Sequence, residues 1–170
     1  IDNAEKRVLF ETYIWKGDEV GERFKEALTR ASLRGVEVYV IYDSFANLVV
    51  SPRFKIFSPR LKVMPYRIYN AGWKFWDLRR YGRNHRKILV IDDTVAFVGG
   101  YNIGTAYATE WRDTHCRITG PGVWDLSRAF ADFWNTQRHA HTRWRASRPA
   151  LLIDSSPDWE PHIRVHRNLP

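Results

Sequence analysis

The residues with the strongest chemical content lie in one stretch, His85-Arg86-Lys87-Ile88-Leu89-Val90-Ile91-Asp92, followed shortly by Gly99-Gly100-Tyr101-Asn102. If 85–92 runs extended, side chains alternate between faces, so His85 and Lys87 share one face and Asp92 falls on the other. An imidazole that can attack or move a proton thus stands beside a cation able to hold a phosphate, whereas Asp92 reads as an acid with a structural partner elsewhere. Gly99 and Gly100 let the backbone bend and come close to a ligand, and the carboxamide of Asn102 can donate a hydrogen bond to a phosphoryl oxygen. These are the parts of a phosphoryl-transfer site, where positioning and charge stabilisation carry the reaction.

The elements that must position them follow from the flanking pattern. Val8 to Trp15 is aromatic and β-branched and reads as a strand, with Glu11 as one acid in an apolar setting. Asp18 can cap a helix over 18–34, in which Val20, Phe24, Ala27, Leu28 and Ala31 recur at three- and four-residue spacing and Gly35 ends the run. Val36 to Tyr42 is nearly continuous apolar sequence, as in a buried parallel strand, which makes the first unit βαβ. Lys87–Ile91 and Val95–Val98 read as two short strands joined through Asp92-Asp93-Thr94, and 114–119 as another. Gly120-Pro121 then starts a helix over 121–136 whose buried stripe is Val123, Leu126, Phe130 and Phe133 or Trp134. The expectation is an α/β domain over 1–136, a mixed β-sheet flanked by helices, followed by a basic connector over 137–170.

Composition bounds the function. With 170 residues, 44% hydrophobic content and eight Trp, the chain can bury one ordinary core and is too ring-rich for a disordered segment. A net charge of +8 favours anionic partners, phospholipid headgroups or nucleic acid, without choosing between them. The single cysteine, Cys116, excludes an internal disulfide or a Cys-rich zinc site. No stretch is apolar for long enough to span a bilayer, so any membrane is met from the side. Residues 44–84 give weak secondary-structure signals, but Arg53, Lys55, Arg60, Lys62, Arg67, Lys74, Arg79, Arg80 and Arg83 interleave there with rings, and Asp77 is the only acid. That arm reads equally as a solvated loop whose aromatics belong to the core and as an interfacial surface. His115 beside Cys116 and the pair His139 and His141 lack the further ligands a metal would need, so no metal or cofactor is expected.

HxKxxxxD followed by GG-x-N resembles the signature of the phospholipase D superfamily. Glu11-Thr12-Tyr13, Asn84-His85-Arg86-Lys87, Val98-Gly99-Gly100-Tyr101-Asn102-Ile103-Gly104 and Trp111-Arg112-Asp113-Thr114-His115 together resemble the first half of bacterial cardiolipin synthases over most of residues 5–135. The resemblance implies a phospholipase D-like fold and a metal-free, two-step displacement at phosphorus. One motif histidine forms a phosphohistidine and a second, from another copy of the motif, handles the proton. Carried over, the catalytic set is His85, Lys87, Asp92 and Asp113, with Lys87, Asn102 and Gly100 at the phosphate and Glu11 in support. Asp113 matches the family's downstream acid that orients the histidine. The implied reaction passes a phosphatidyl group between phosphatidylglycerol molecules at the cytoplasmic face of a bacterial cell membrane.

Only one motif is present, because none of the other histidines carries an HxK pattern. The chain also starts at Ile1 without Met and ends at Pro170 soon after the strand-like Ile163-Arg164-Val165. The expectation is therefore half of a two-repeat active site, with the second repeat beyond Pro170 or supplied by a homodimer. The alternatives are a homodimeric phosphodiesterase or nuclease, for which the basic, aromatic surface would grip a nucleic-acid strand, and a noncatalytic lipid-binding module.

Overall fold

The computed structural model describes residues 1–67, 82–138 and 148–153. Within them the chain runs β1 (Arg7–Thr12), α1 (Glu19–Leu33), β2 (Glu37–Asp43), β3 (Lys62–Tyr66), β4 (Ile88–Ile91), β5 (Val95–Gly99), α2 (Thr105–Thr109), β6 (His115–Thr119) and α3 (Gly122–Gln137). The strands form one mixed sheet in the order β3-β2-β1-β4-β5-β6. β1, β2 and β3 are parallel, while β1, β4, β5 and β6 alternate in direction. The βαβ start, the two linked strands and the closing helix match the sequence pattern.

Alternation along β1 and β2 divides the core. Val8, Phe10, Val38 and Val40 face α1, where Leu28 and Ala31 close the layer, while Leu9, Ile41 and Val90 face α3 and meet Leu126, Phe130 and Trp134. Both faces of the central strands are thus removed from water, which is why they read as continuous apolar runs. Asp18 caps α1 by accepting the Gly21 N–H at 3.0 Å, and Gly35, at φ 94°, supplies the left-handed residue beyond its end.

Four features depart from expectation. β1 stops at Thr12 because Trp15 turns inward, stacking edge-on against Phe10 and donating its indole N–H to Gly21 O at 3.0 Å. β3 lies inside the arm of weak signal; it is an edge strand, where Pro65 and its missing N–H are tolerated. Pro121 sits one position ahead of α3, at its N-cap. Part of the stretch read as connector, 148–153, packs on the domain: Leu151 is buried and exchanges hydrogen bonds with the Asn135 side chain, and Trp134 donates to Pro149 O at 2.9 Å. The histidine pairs at 139 and 141 and at 162 and 166, and the arm's residues 68–81, lie outside the described residues.

Candidate active site

β1 and β2 end side by side, and the approach to β4 passes over those ends. His85 belongs to that approach and is exposed; Lys87, at the entry to β4, is only 5% exposed. The Lys87 ammonium lies 3.0 Å from Nδ1 and 3.2 Å from Nε2 of His85 and donates to the His85 carbonyl at 2.9 Å. Imidazole lone pairs diverge, so a cation shared this evenly is in line with neither. The Tyr13 ring completes the contact, 4.4 Å from the His85 ring and 5.0 Å from Lys87 Nζ.

Burial pulls Lys87 down to about 8, opposed by the carboxylate of Asp113. His85 is lowered as well, first by burial and then by the Lys87 charge, with Asp43 opposing. The imidazole is therefore held neutral beside a cation that sheds its proton unusually easily.

A network on the α3 side fixes the two neighbours of His85. Glu11 is 1% exposed, and its Oε1 accepts from Asn84 Nδ2 at 2.6 Å and from Arg86 Nε at 3.0 Å. Arg86 also pairs with that oxygen through its second nitrogen at 2.8 Å, stacks over Phe133 and donates to Ala129 O. Burial pushes the Glu11 carboxyl up, while the Arg86 guanidinium and the Asn84 hydrogen bond oppose it. Asp43, fully buried, accepts the N–H groups of Phe45 and Ala46 and, at 3.3 Å, that of Asn84. Glu11 and Asp43 thus hold the strand approach from below, so that His85 projects from a tied loop.

The other wall is the turn after β5. Asn102 accepts the Ile14 N–H at 3.2 Å through Oδ1, which orients its NH₂ group away from that contact. Asp113 is exposed and accepts the Thr114 N–H at 2.7 Å. Its carboxylate lies so close over Gly100 that a Cβ there would collide with it, and a Cβ on Gly99 would meet Thr114 O and the His115 ring. The room that a side chain at position 100 would take is filled by Asp113. Asp92 does not join the group. It lies at the far end of β4, at φ 53°, and accepts the N–H groups of Glu5, Lys6 and Arg7 at 2.7–2.9 Å, which lowers its carboxyl. This is the structural partner that the alternation argument demanded.

The fold therefore places Lys87 against His85, with the Asp113 charge acting on Lys87 and Glu11 beneath, while Asn102 holds the Ile14 amide next to Tyr13. Sequence reasoning gave no role to Tyr13, Asp43, Asn84, Arg86 or His115. Alternation could have exposed Arg86, since it points away from Lys87 toward the interior where Glu11 lies; Tyr13 was marked only as part of the Glu11-Thr12-Tyr13 match. His115 lines a 320 Å³ cavity behind Lys87, walled by Phe10, Phe24, Leu89 and Phe97. Among the described residues no three His, Cys, Asp or Glu converge as a metal set.

The fold is that of phospholipase D-like domains. Nuc of Salmonella typhimurium, a phospholipase D family member, superposes with a TM-score of 0.60 at 17% identity, covering 79% of this chain and 81% of that one. The phosphatidylserine synthase of Haemophilus influenzae gives 0.55 at 20% identity, over 79% of this chain and 32% of that one. Residues 1–134 match the cardiolipin synthase, PLD-like domain family, and the chain belongs to it. A cardiolipin synthase of Clostridium perfringens is 40% identical over 144 residues, 79% of this chain and 29% of that protein. The major cardiolipin synthase of Bacillus subtilis is 32% identical over 84% of this chain and 31% of its own length. The chain thus spans about a third of the curated relatives it matches.

Proposed function

We propose that this domain is the first motif-bearing repeat of a cardiolipin synthase-type phosphatidyltransferase. The observation that carries the reading is the buried ammonium of Lys87 lying against the exposed, neutral imidazole of His85. His85 attacks the phosphorus of phosphatidylglycerol; the bond to the glycerol headgroup breaks, and a phosphatidyl-histidine forms. Lys87 and the Asn102 NH₂ group stabilise the phosphoryl oxygens, and Asp113 orients the site electrostatically. A second imidazole, from another repeat in cis or from a homodimer partner, protonates the departing glycerol and then deprotonates the hydroxyl of a second phosphatidylglycerol. Attack of that hydroxyl on phosphorus releases His85 and yields cardiolipin, with one glycerol formed per turnover. The reading puts the protein at the cytoplasmic face of the membrane; among the described residues no helix is long and apolar enough to cross one.

The test is the intact protein with phosphatidylglycerol vesicles, measuring cardiolipin, glycerol and an alkali-stable, acid-labile phosphohistidine. Equal cardiolipin and glycerol, with product and intermediate both lost in His85→Ala, is expected. Phosphatidic acid as the sole lipid product would make the enzyme a hydrolase. Cleavage of single-stranded DNA that vanishes in His85→Ala, without lipid turnover, would favour the nuclease alternative.

A further inference from the structure

The 44–61 connection between β2 and β3 has two faces. Its inward side chains are core: Val50, Phe54 and Leu61 are buried, Phe54 and Phe57 pack on Trp15, and Lys25 ties the Phe54 carbonyl at 2.7 Å. Folding needs nothing more from the loop, yet its outward side is apolar as well. Phe45, Leu48, Val49 and Ile56 are 51%, 66%, 84% and 72% exposed, four large apolar side chains within twelve residues. Singly exposed apolar residues are ordinary; a cluster of this kind marks an interaction surface.

The charge around the cluster selects the partner. Residues 44–67 contain no acid, while Arg53, Arg60 and Arg67 are exposed and Lys55 half-buried. Phe45 and Leu48 converge with Tyr42, Pro65, Lys55 and Arg67 around a 470 Å³ hollow. Exposed apolar tips on a loop whose only charges are positive match a surface with anionic headgroups above hydrocarbon. The patch also abuts the candidate site: it leaves directly from the end of β2, and Arg83, whose carbonyl accepts the His85 N–H, lies 3.5 Å over the Phe45 ring.

We infer that the 44–61 loop is a docking surface for an anionic phospholipid bilayer, with Leu48, Val49 and Ile56 entering the headgroup layer and Lys55, Arg53, Arg60 and Arg67 meeting phosphates. This seats the His85 end of the sheet on the membrane. The inference deepens the phosphatidyltransferase reading and rests on it only for the bilayer as the source of substrate.

The experiment reads local insertion in the intact protein. On a Cys116→Ser background, Val49→Cys carries an environment-sensitive fluorophore, and Glu26→Cys on α1 serves as the control. With phosphatidylglycerol-containing vesicles, the label at 49 is expected to shift to the blue and to be quenched by spin-labelled lipid, while the label at 26 stays in water. Lys55→Gln and Arg67→Gln should each weaken the vesicle dependence of that signal about fivefold. Leu48→Asp with Ile56→Asp, both exposed and thus neutral to folding, should abolish it. A label at 49 that stays in water on anionic vesicles, responds equally to neutral phosphatidylcholine, or shifts only with single-stranded DNA would overturn the inference. Transfer between short-chain phosphatidylglycerol molecules in detergent micelles separates the two readings: turnover without insertion sinks this inference alone, and insertion without turnover sinks the catalytic one alone.

Discussion

Replacing Lys87 with methionine should make the protein more stable and inactive. The native fold holds Lys87 at about 8 instead of 10.5, so at neutral pH it carries a charge that the unfolded chain solvates better. At about 1.4 kcal/mol per pH unit this costs about 3 kcal/mol. Water reaching the site on the His85 side screens part of it, and Met also gives up the hydrogen bond to the His85 carbonyl, about 1 kcal/mol. A net gain of about 1–2 kcal/mol remains, or about 3–6 °C in Tm for a domain of this size. The difference depends on pH in a defined way. Between about 8 and 10.5 the unfolded chain binds a proton that the native Lys87 has lost, so wild-type stability rises and the advantage of Lys87→Met shrinks. Thermal unfolding of both proteins from pH 6.5 to 10 is the assay, with Lys87→Arg, bulkier and always charged, expected to melt below wild type. A Met variant that melts below wild type at pH 7, or a difference that does not change with pH, would refute the claim that burial strains this ammonium.

Other perturbations probe the remaining parts. Transfer activity should follow a narrow bell, rising as His85 loses its proton below the ordinary 6.5 and falling near 8 as Lys87 loses its own; a plateau extending to pH 10 in kcat/KM would contradict it. Glu11→Gln should cost about 2–4 kcal/mol by stranding Arg86, discounted because that side chain is partly exposed. It should also lower kcat more than it raises KM, and denaturant titration with steady-state kinetics checks both. Asp92→Ala removes three amide hydrogen bonds and should cost about 2–4 kcal/mol, while activity per folded molecule is retained. Because its native carboxyl is lowered below 3.8, the Asp92 contribution is present above that pH and lost as pH falls through the native value. Gly100→Ala should displace the Asp113 carboxylate and reduce kcat with little change in Tm, since the clash is with an exposed side chain.

Legibility followed burial. β2 could be read because both of its faces are covered, leaving nearly unbroken apolar sequence, and α3 because one stripe is buried and the rest polar. β3 was hidden because an edge strand needs neither alternation nor a full set of donors: its residues are Lys-Val-Met-Pro-Tyr, and only Met64 is fully buried. α2, five residues without a buried side chain, leaves no periodic trace at all. The aromatics of the 44–61 loop show why composition alone left two readings open. Phe54 and Phe57 serve the core while Phe45 and Ile56 face outward, and a ring has the same letter in either direction.

In the candidate site, the residues that touch one another across short sequence distance were legible, and those that act through tertiary contact were not. Alternation alone paired His85 with Lys87 and separated Asp92 from them; Asp92 lies beyond the end of β4, where it clamps the start of β1. No local pattern can announce that Glu11, seventy-five residues before Arg86, grips both neighbours of His85, because that contact exists only when β1 and β4 pair in register, Glu11 opposite Ile88. The same register explains the division of labour around His85. Odd positions entering β4 present Lys87 beside the imidazole, and even positions present Asn84 and Arg86 to the interior. A one-residue slip of β4 against β1 would turn His85 and Lys87 together toward the interior and Arg86 outward. The buried Glu11–Arg86 pair opposes that slip, since it would take from the buried carboxylate its two-nitrogen guanidinium partner. The ion pair beneath the loop thus fixes which face of the strand carries His85 and Lys87, a role in specificity of register that its modest net stability does not measure.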